Sequence, residues 1–350
     1  MNKISKIVIS LVTSFAFSVS AFAGELSVSG SAKATYNSVG GYANGENTIG
    51  IANELNFKAS GELDNGYTWS YSVELDPDST AAGGNALNDD SQLVITTPFG
   101  SVALCGSECG LSAAGDFNQN AYAWITDTGF AEGKVEPTNI SSYQNMQYHT
   151  PADLLPFGTV LKAAYSPSAS TVNNSANASN AASVATASST TMYRIETKPV
   201  DGLEITASFL EQDGGNVAGK TDEQKHESGA VSIAYDINAF SVGVGRALVA
   251  PTLADGTAAG ATTAESYENT NISIGFLVND NLSLSVSNEK SEPTYMTSTT
   301  VAYEQKARSV QAAYTMGGMT LSLARTNYDN VSYIQNADVT ENLFAVSMAF

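Results

Sequence analysis

Of the residue types most used for nucleophilic, soft-metal and near-neutral proton chemistry, this 350-residue chain has two cysteines and two histidines. The cysteines are Cys105 and Cys109, in "CGSEC". In an oxidising compartment two such thiols can close a small disulfide; the alternative is half of a tetrahedral metal site. No histidine lies near them in sequence, so a metal set would be incomplete, and the disulfide is the favoured reading. Asp76, Asp78, Asp89 and Asp90 flank a polar segment. Their oxygens are of the kind that Ca²⁺ takes, but the spacing lacks the EF-hand pattern. His149 and His226 stand in no nucleophile motif. There is no G-x-x-x-x-G-K-[ST] and no H-E-x-x-H. "GVGRAL" at 243–248 reads as a glycine-rich strand, because no helix follows it. Catalysis and a cofactor therefore have little footing here.

The elements that position these residues begin after a leader. "MNKISKIVISLVTSFAFSVSAFA" carries Lys3 and Lys6, then an apolar run, then Ala21-Phe22-Ala23. This is the pattern of a cleaved secretory signal over 1–23, and the apolar run is short for a membrane anchor. The mature chain, 24–350, is then expected to form a single domain. Without Lys3 and Lys6 the basic count falls from 15 to 13, and against 35 acids the net charge is −22. Such a balance argues against nucleic acid as a partner and against docking through basic patches on anionic lipid. It does not signal disorder, because 16 Tyr and 13 Phe accompany Val, Leu and Ile in short alternating runs.

Runs of alternating residues recur, separated by connections that are in turn short and long. Seven short turns fall at 64–66, 98–100, 151–158, 199–202, 236–239, 279–281 and 316–318, rich in the Gly, Asn, Asp and Pro that tight hairpins use. Eight long, polar connections fall near 38–48, 77–90, 108–142, 167–190, 212–226, 249–264, 291–300 and 329–339. Together they join sixteen strands. The sequence closes on "ENLFAVSMAF", in which Phe344, Val346, Met348 and Phe350 share one side. An open sheet of this size would expose aggregation-prone edges; closing it pairs the first strand with the last.

Each strand has an apolar and a polar face. Leu26, Val28, Ala32, Ala34 and Tyr36 oppose Ser27, Ser29, Ser31, Lys33 and Thr35. Trp69, Tyr71 and Val73 oppose Ser70, Ser72 and Glu74. A soluble sandwich alternates in the same way. Aromatic residues gathered near the turns, and loop lengths segregated by end, favour the transmembrane barrel. Arg308 and Arg325 break the pattern, since their parity places them on the apolar face. A charge there would cost about 2–4 kcal/mol at mid-membrane, so a rim position, a subunit contact or a bulge is expected.

The leader, sixteen strands, seven short turns, eight long loops and terminal Phe350 resemble the Gram-negative general porins, most closely those of alphaproteobacteria. The resemblance spans the whole mature chain. It implies an all-β, sixteen-stranded antiparallel barrel with an in-folded third loop. It also implies a homotrimer in the bacterial outer membrane, surrounded by lipid and lipopolysaccharide and passing small hydrophilic solutes. In the family the alternating terminal aromatic is read by the barrel-assembly machinery, and Phe344, Val346, Met348 and Phe350 match that pattern.

The resemblance further implies that the third long loop, 108–142, narrows the pore. It carries Glu108, Asp116, Asp127, Glu132 and Glu136, with Lys134 its only base. Its "AGDFNQN" departs from the Pro-Glu-Phe-type tip common in the family, which leaves the eyelet residues open. By inward parity the facing wall bases are Lys33, Lys58, Lys162, Arg194 and Lys198. Rings of fixed charge set ion preference, and four Arg in the whole chain beside many carboxylates point to cations. The alternatives are a substrate-specific channel and, further off, a barrel adhesin or enzyme.

Overall fold

The computed structural model describes residues 24–42, 47–75, 89–106, 109–130, 132–167, 189–213, 222–254, 263–297 and 301–350. The expected leader, 1–23, lies outside them. So do Asp76, Asp78 and Glu108 and the side chains of Asp89 and Asp90, and with them the calcium reading.

Eighteen strands form among the described residues. They are β1 (Glu25–Gly41), β2 (Asn47–Glu62), β3 (Thr68–Leu75), β4 (Asp89–Thr97), β5 (Gly100–Cys105), β6 (Asn145–His149), β7 (Val160–Ser166), β8 (Thr190–Thr197) and β9 (Leu203–Gln212). The chain continues through β10 (Asp222–Gln224), β11 (His226–Ile237), β12 (Phe240–Ala250), β13 (Leu253–Ala254), β14 (Ala264–Leu277), β15 (Leu282–Tyr295), β16 (Gln305–Met316), β17 (Met319–Asp329) and β18 (Val339–Ala349). All but β10 and β13 join one closed antiparallel barrel, and those two pair with each other as a small ribbon. The sixteen barrel strands and the closure of β1 on β18 match the expectation from the turn count.

The seven short turns all join barrel neighbours. Their residues supply the backbone angles required: Gly202 sits at φ +78° and Asn238 at φ +54°, in the region that ordinary L-residues avoid. Closure removes both edges of the barrel sheet, so every barrel strand finds two partners, the only arrangement of strands that hydrocarbon tolerates.

The outward face is apolar over much of the wall. Leu26, Val28, Tyr71, Ile195, Phe209, Ile233 and Val286 all stand exposed there. The inward face is less uniformly polar than simple alternation predicts. Ala164, Met192, Leu210, Ala307, Leu343 and Ala345 point inward and are buried. A water-filled lumen would not bury them, so something packs inside the barrel.

Arg308 and Arg325 point outward, as their parity indicates. The β16–β17 register runs unbroken from Lys306–Asp329 to Met316–Met319, which removes the bulge explanation.

Candidate functional site

The material inside the barrel is the connection between β5 and β6. Its residues 109–130 and 132–144 lie against the inner wall of β7–β9, β11, β12 and β14–β18. A loop in that position carries backbone N–H and C=O groups that must find partners, and the wall supplies them from short polar side chains. Ala113 N–H donates to Ser208 Oγ at 2.9 Å, and Ser232 Oγ donates to Ala113 O at 2.6 Å. Gln119 N–H donates to Ser273 Oγ at 2.9 Å, and Ala121 N–H to Ser285 Oγ at 2.8 Å. Gln311 Oε1 accepts from Tyr122 and Ala123 N–H, while its Nε2 donates back to Ala123 O. Asn269 and Gln305 complete the row by donating to Val135 O and Glu132 O.

Apolar contacts fix the same path. Leu111 and Ile140 pack on Ala164, Met192 and Leu210. Ile125 packs with Ala307, Tyr328 and Val339, and Tyr122 covers Ala324, Leu343 and Ala345. The loop also needs room. A Cβ on Gly243 would fall 1.7 Å from Phe117 O, and one on Gly275 would fall 2.7 Å from Gln119 O. The "GVG" of β12 is thus the groove in which the loop backbone lies, a purpose that alternation alone does not reveal.

Two polar clusters pin the far part of the loop. Lys134 Nζ is held by Glu289 of β15, by Glu136 at 2.6 Å and by Glu132 at 3.6 Å. Burial pushes the Glu132 carboxyl up to about 7 despite the pull of Lys134, and burial also raises Glu136. Three carboxylates around one ammonium leave excess negative charge, which a proton on Glu132 relieves. In the second cluster Glu341 accepts hydrogen bonds from Asn37 Nδ2 at 2.7 Å, Thr128 Oγ1 at 2.7 Å and Tyr328 Oη at 3.1 Å. Neither Glu289 nor Glu341 stood out in the sequence. An acid at an inward strand position beside serines is the only signal they give.

The sequence-derived residues fall into distinct environments. Asp116 meets Arg194 at 2.8 Å, and Arg194 also reaches Glu196 at 3.2 Å and donates to Ser112 O at 3.0 Å. Lys162 joins this group through Glu196 at 3.1 Å. Lys198 lies 3.6 Å from Glu204 in an exposed pair. Lys33 and Lys58 are exposed on inward positions of β1 and β2, with no ion pair among the described residues. Asp127 is exposed, whereas Glu132 and Glu136 turn into the Lys134 cluster. Cys105 and Cys109 are joined by a disulfide at the root of the loop, and Gln147 Nε2 donates to Cys109 O at 2.5 Å. Phe344 and Met348 point outward on β18, with Val346 between them, and Phe350 follows. His149 bonds to Gln147 on its own strand and His226 to Thr138 of the loop, each at 2.8 Å.

The loop thus crosses the inside of a closed barrel, with the Asp116–Arg194–Glu196–Lys162 group where it meets the wall of β7 and β8. The comparisons agree with this architecture. OmpF of Salmonella typhi, solved with daunomycin, superposes with a TM-score of 0.68 at 14% identity, covering 93% of this chain and 98% of that one. The anion-selective porin from Comamonas acidovorans gives 0.67 at 11% identity, covering 93% and 99%. OmpT of Vibrio cholerae gives 0.63 at 11% identity, covering 95% and 99%. Among curated protein sequences none matches. The family model for Gram-negative porins matches residues 8–350. The chain therefore belongs to the Gram-negative porin family and is an outer-membrane barrel through which solutes diffuse.

Proposed function

We propose that this porin is a general, cation-preferring diffusion channel that works as a homotrimer and catalyses no reaction. The contact that carries the ionic reading is Asp116–Arg194. It places a loop carboxylate on a wall base, and Glu196 shares that base and Lys162. Two carboxylates therefore neutralise the two bases nearest the loop. Glu54 and Glu62 add exposed negative charge on the β2 wall. Lys33 and Lys58 oppose this effect. The mature charge of −22 favours cations throughout the lumen by raising their local concentration.

The fold does not fix the sign of selectivity, since a structural neighbour is described as an anion-selective porin. The trimer reading is supported by OmpT of Vibrio cholerae, described in a trimer form. The non-enzymatic reading is supported by the two histidines, which are engaged by Gln147 and by Thr138. The test is single-channel recording in a planar bilayer under a KCl gradient. Openings in groups of three, with a reversal potential on the potassium side, are expected. A potential on the chloride side overturns the cation preference, and single openings overturn the trimer.

A further inference from the structure

Cys105 and Cys109 are four residues apart, so their disulfide closes a very small ring of chain. A cross-link that short removes little freedom from the unfolded chain. It also ties together no parts of the barrel that are otherwise separate. Cys105 already stands in two ladders, opposite Gln92 of β4 and Asn145 of β6. Just beyond it Gly106 N–H donates to Ser91 O at 2.6 Å. The bond therefore adds little to the barrel wall. What it holds is the first step of the in-folded loop.

Cys109 lies at φ +70°, a region that side-chain-bearing residues other than Asn and Asp seldom adopt. Such a conformation persists only where its surroundings enforce it. Two restraints do so here, the bond to Cys105 and the Gln147 Nε2 donor on Cys109 O at 2.5 Å. From this bend the chain runs into the lumen. Leu111 and Ser112 N–H donate to Asn139 Oδ1 at 2.9 and 3.2 Å, and Ser112 O accepts from Arg194 Nη1 at 3.0 Å. Asp116, the carboxylate on Arg194, follows on the same limb. The backbone of Cys109 thus sets where the loop meets the wall bases. The two sulfurs are not equally placed. Cys105 is 5% exposed at an inward strand position, whereas Cys109 is half-buried. Both stand at the long-loop end of the barrel, which in an outer-membrane barrel faces the exterior. A partly exposed disulfide with one residue held in a disfavoured conformation belongs to the labile kind.

We infer that Cys105–Cys109 is a site of thiol–disulfide exchange with small external thiols, and that its state sets the position of the loop's first residues. The thiolate of the incoming thiol attacks Cys109 Sγ, the more exposed sulfur. The S–S bond breaks, a new bond joins the thiol sulfur to Cys109, and Cys105 Sγ leaves with the electron pair and takes up a proton. A second thiol displaces Cys109 in the same way, so two thiols are oxidised to one disulfide and both cysteines are reduced. Cys105 then stays in its ladders, while Cys109 relaxes from its left-handed angle and residues 110–112 loosen from Asn139 and Arg194. The rest of the loop keeps its anchors on Ser208, Ser273, Ser285 and Gln311. The channel is therefore retuned while the barrel stays closed. The inference rests on the channel itself and not on the trimer or the sign of ion selectivity.

The test uses the folded, detergent-purified protein with reduced glutathione as the thiol. Intact mass reads the bond, and single-channel recording in KCl reads the loop. The parent is expected to be reduced while its heat-shifted mobility stays unchanged. Peptide mapping after brief treatment should find one glutathione on Cys109. Open-channel noise should rise at least about twofold, as loss of a local restraint implies, and should fall again when oxidised glutathione restores the bond. The Cys105→Ser/Cys109→Ser variant should show the higher noise from the start and no response to either reagent. Should that variant fail to fold, the reversible cycle on the parent decides alone. Reduction by glutathione only after the barrel is unfolded overturns the inference, because the bond is then purely structural. Reduction of the folded parent with unchanged noise overturns it as well, as does an equal response of the double-serine variant.

Discussion

Gly30 and Phe350 exchange two backbone hydrogen bonds, Gly30 N–H to Phe350 O at 2.8 Å and Phe350 N–H to Gly30 O at 3.0 Å. They extend the β1–β18 ladder by one pair beyond Ser31–Ala349. A Cβ on Gly30 would fall 2.7 Å from Phe350 Cε2 and 2.9 Å from Glu54 O. Glycine thus leaves the space that the terminal ring occupies, so the strand that closes the barrel is also the one that seats its last aromatic.

That seat should not accept a branched side chain. Gly30→Val is expected to displace the Phe350 ring and to cost about 1–3 kcal/mol by overpacking. The yield of heat-modifiable barrel on refolding should fall, with little change in the conductance of the protein that does fold. Phe350→Ala should lower the assembly yield in cells more than in detergent. Equal yields for Gly30→Val and the parent would show that the ring is not held there.

The glycine groove under the loop makes a different prediction. Gly243→Ala puts a methyl group 1.7 Å from the Phe117 carbonyl oxygen, a backbone atom that cannot rotate away. The loop must lift, at a cost of about 1–3 kcal/mol, while the β12 ladder stays intact. Larger and noisier single-channel conductance is expected, with unchanged barrel content by circular dichroism. A conductance identical to the parent would place the constriction elsewhere along the loop.

Turn chemistry and period-two alternation carry almost the whole barrel, because strand number and strand order follow from seven tight turns and eight long connections. The loop path was not legible in the same way. Met192, Leu210 and Leu343 point inward, and a rule that assigns polar residues to the lumen has no place for them. They become intelligible only once Leu111, Ile140 and Tyr122 are laid across them. The site residues divide along the same line. The parity of Arg194 was readable, but its contact with Asp116 depends on a segment 78 positions away in sequence that has no periodicity. In the sequence Glu132 and Glu136 read as constriction-loop acids facing wall bases, whereas Lys134 of the same loop holds both.

The Lys134 cluster predicts a pH dependence. The Glu132 carboxyl has an ordinary value of 4.5 and a folded value of about 7. Between those limits folding takes up a proton at Glu132, so the contribution of this carboxyl to stability is full below pH 4.5 and is lost as the pH rises through 7. Compared with Glu132→Gln, the parent should lose up to about 3 kcal/mol across that window. Unfolding midpoints measured for both proteins at pH 5 and pH 8 test this. Parallel behaviour of the two would mean that Glu132 stays ionised throughout.

Single charge changes at the constriction should move the reversal potential in opposite directions. Asp116→Asn removes a loop carboxylate and leaves Arg194 with Glu196 alone, so the preference for potassium over chloride should fall. Lys58→Gln removes a base that has no ion pair among the described residues, so the preference should rise. A unit charge several ångströms from the ion path in water is worth about 0.5–1 kcal/mol, or roughly a two- to fivefold change in the permeability ratio at low salt, shrinking as salt screens it. Lys134→Met serves as the contrast. Its charge is sequestered by three carboxylates, so its loss should disturb loop anchoring and current noise more than selectivity. A larger shift in reversal potential for Lys134→Met than for Asp116→Asn would move the selectivity filter from the Arg194 side of the channel to the Glu289 side.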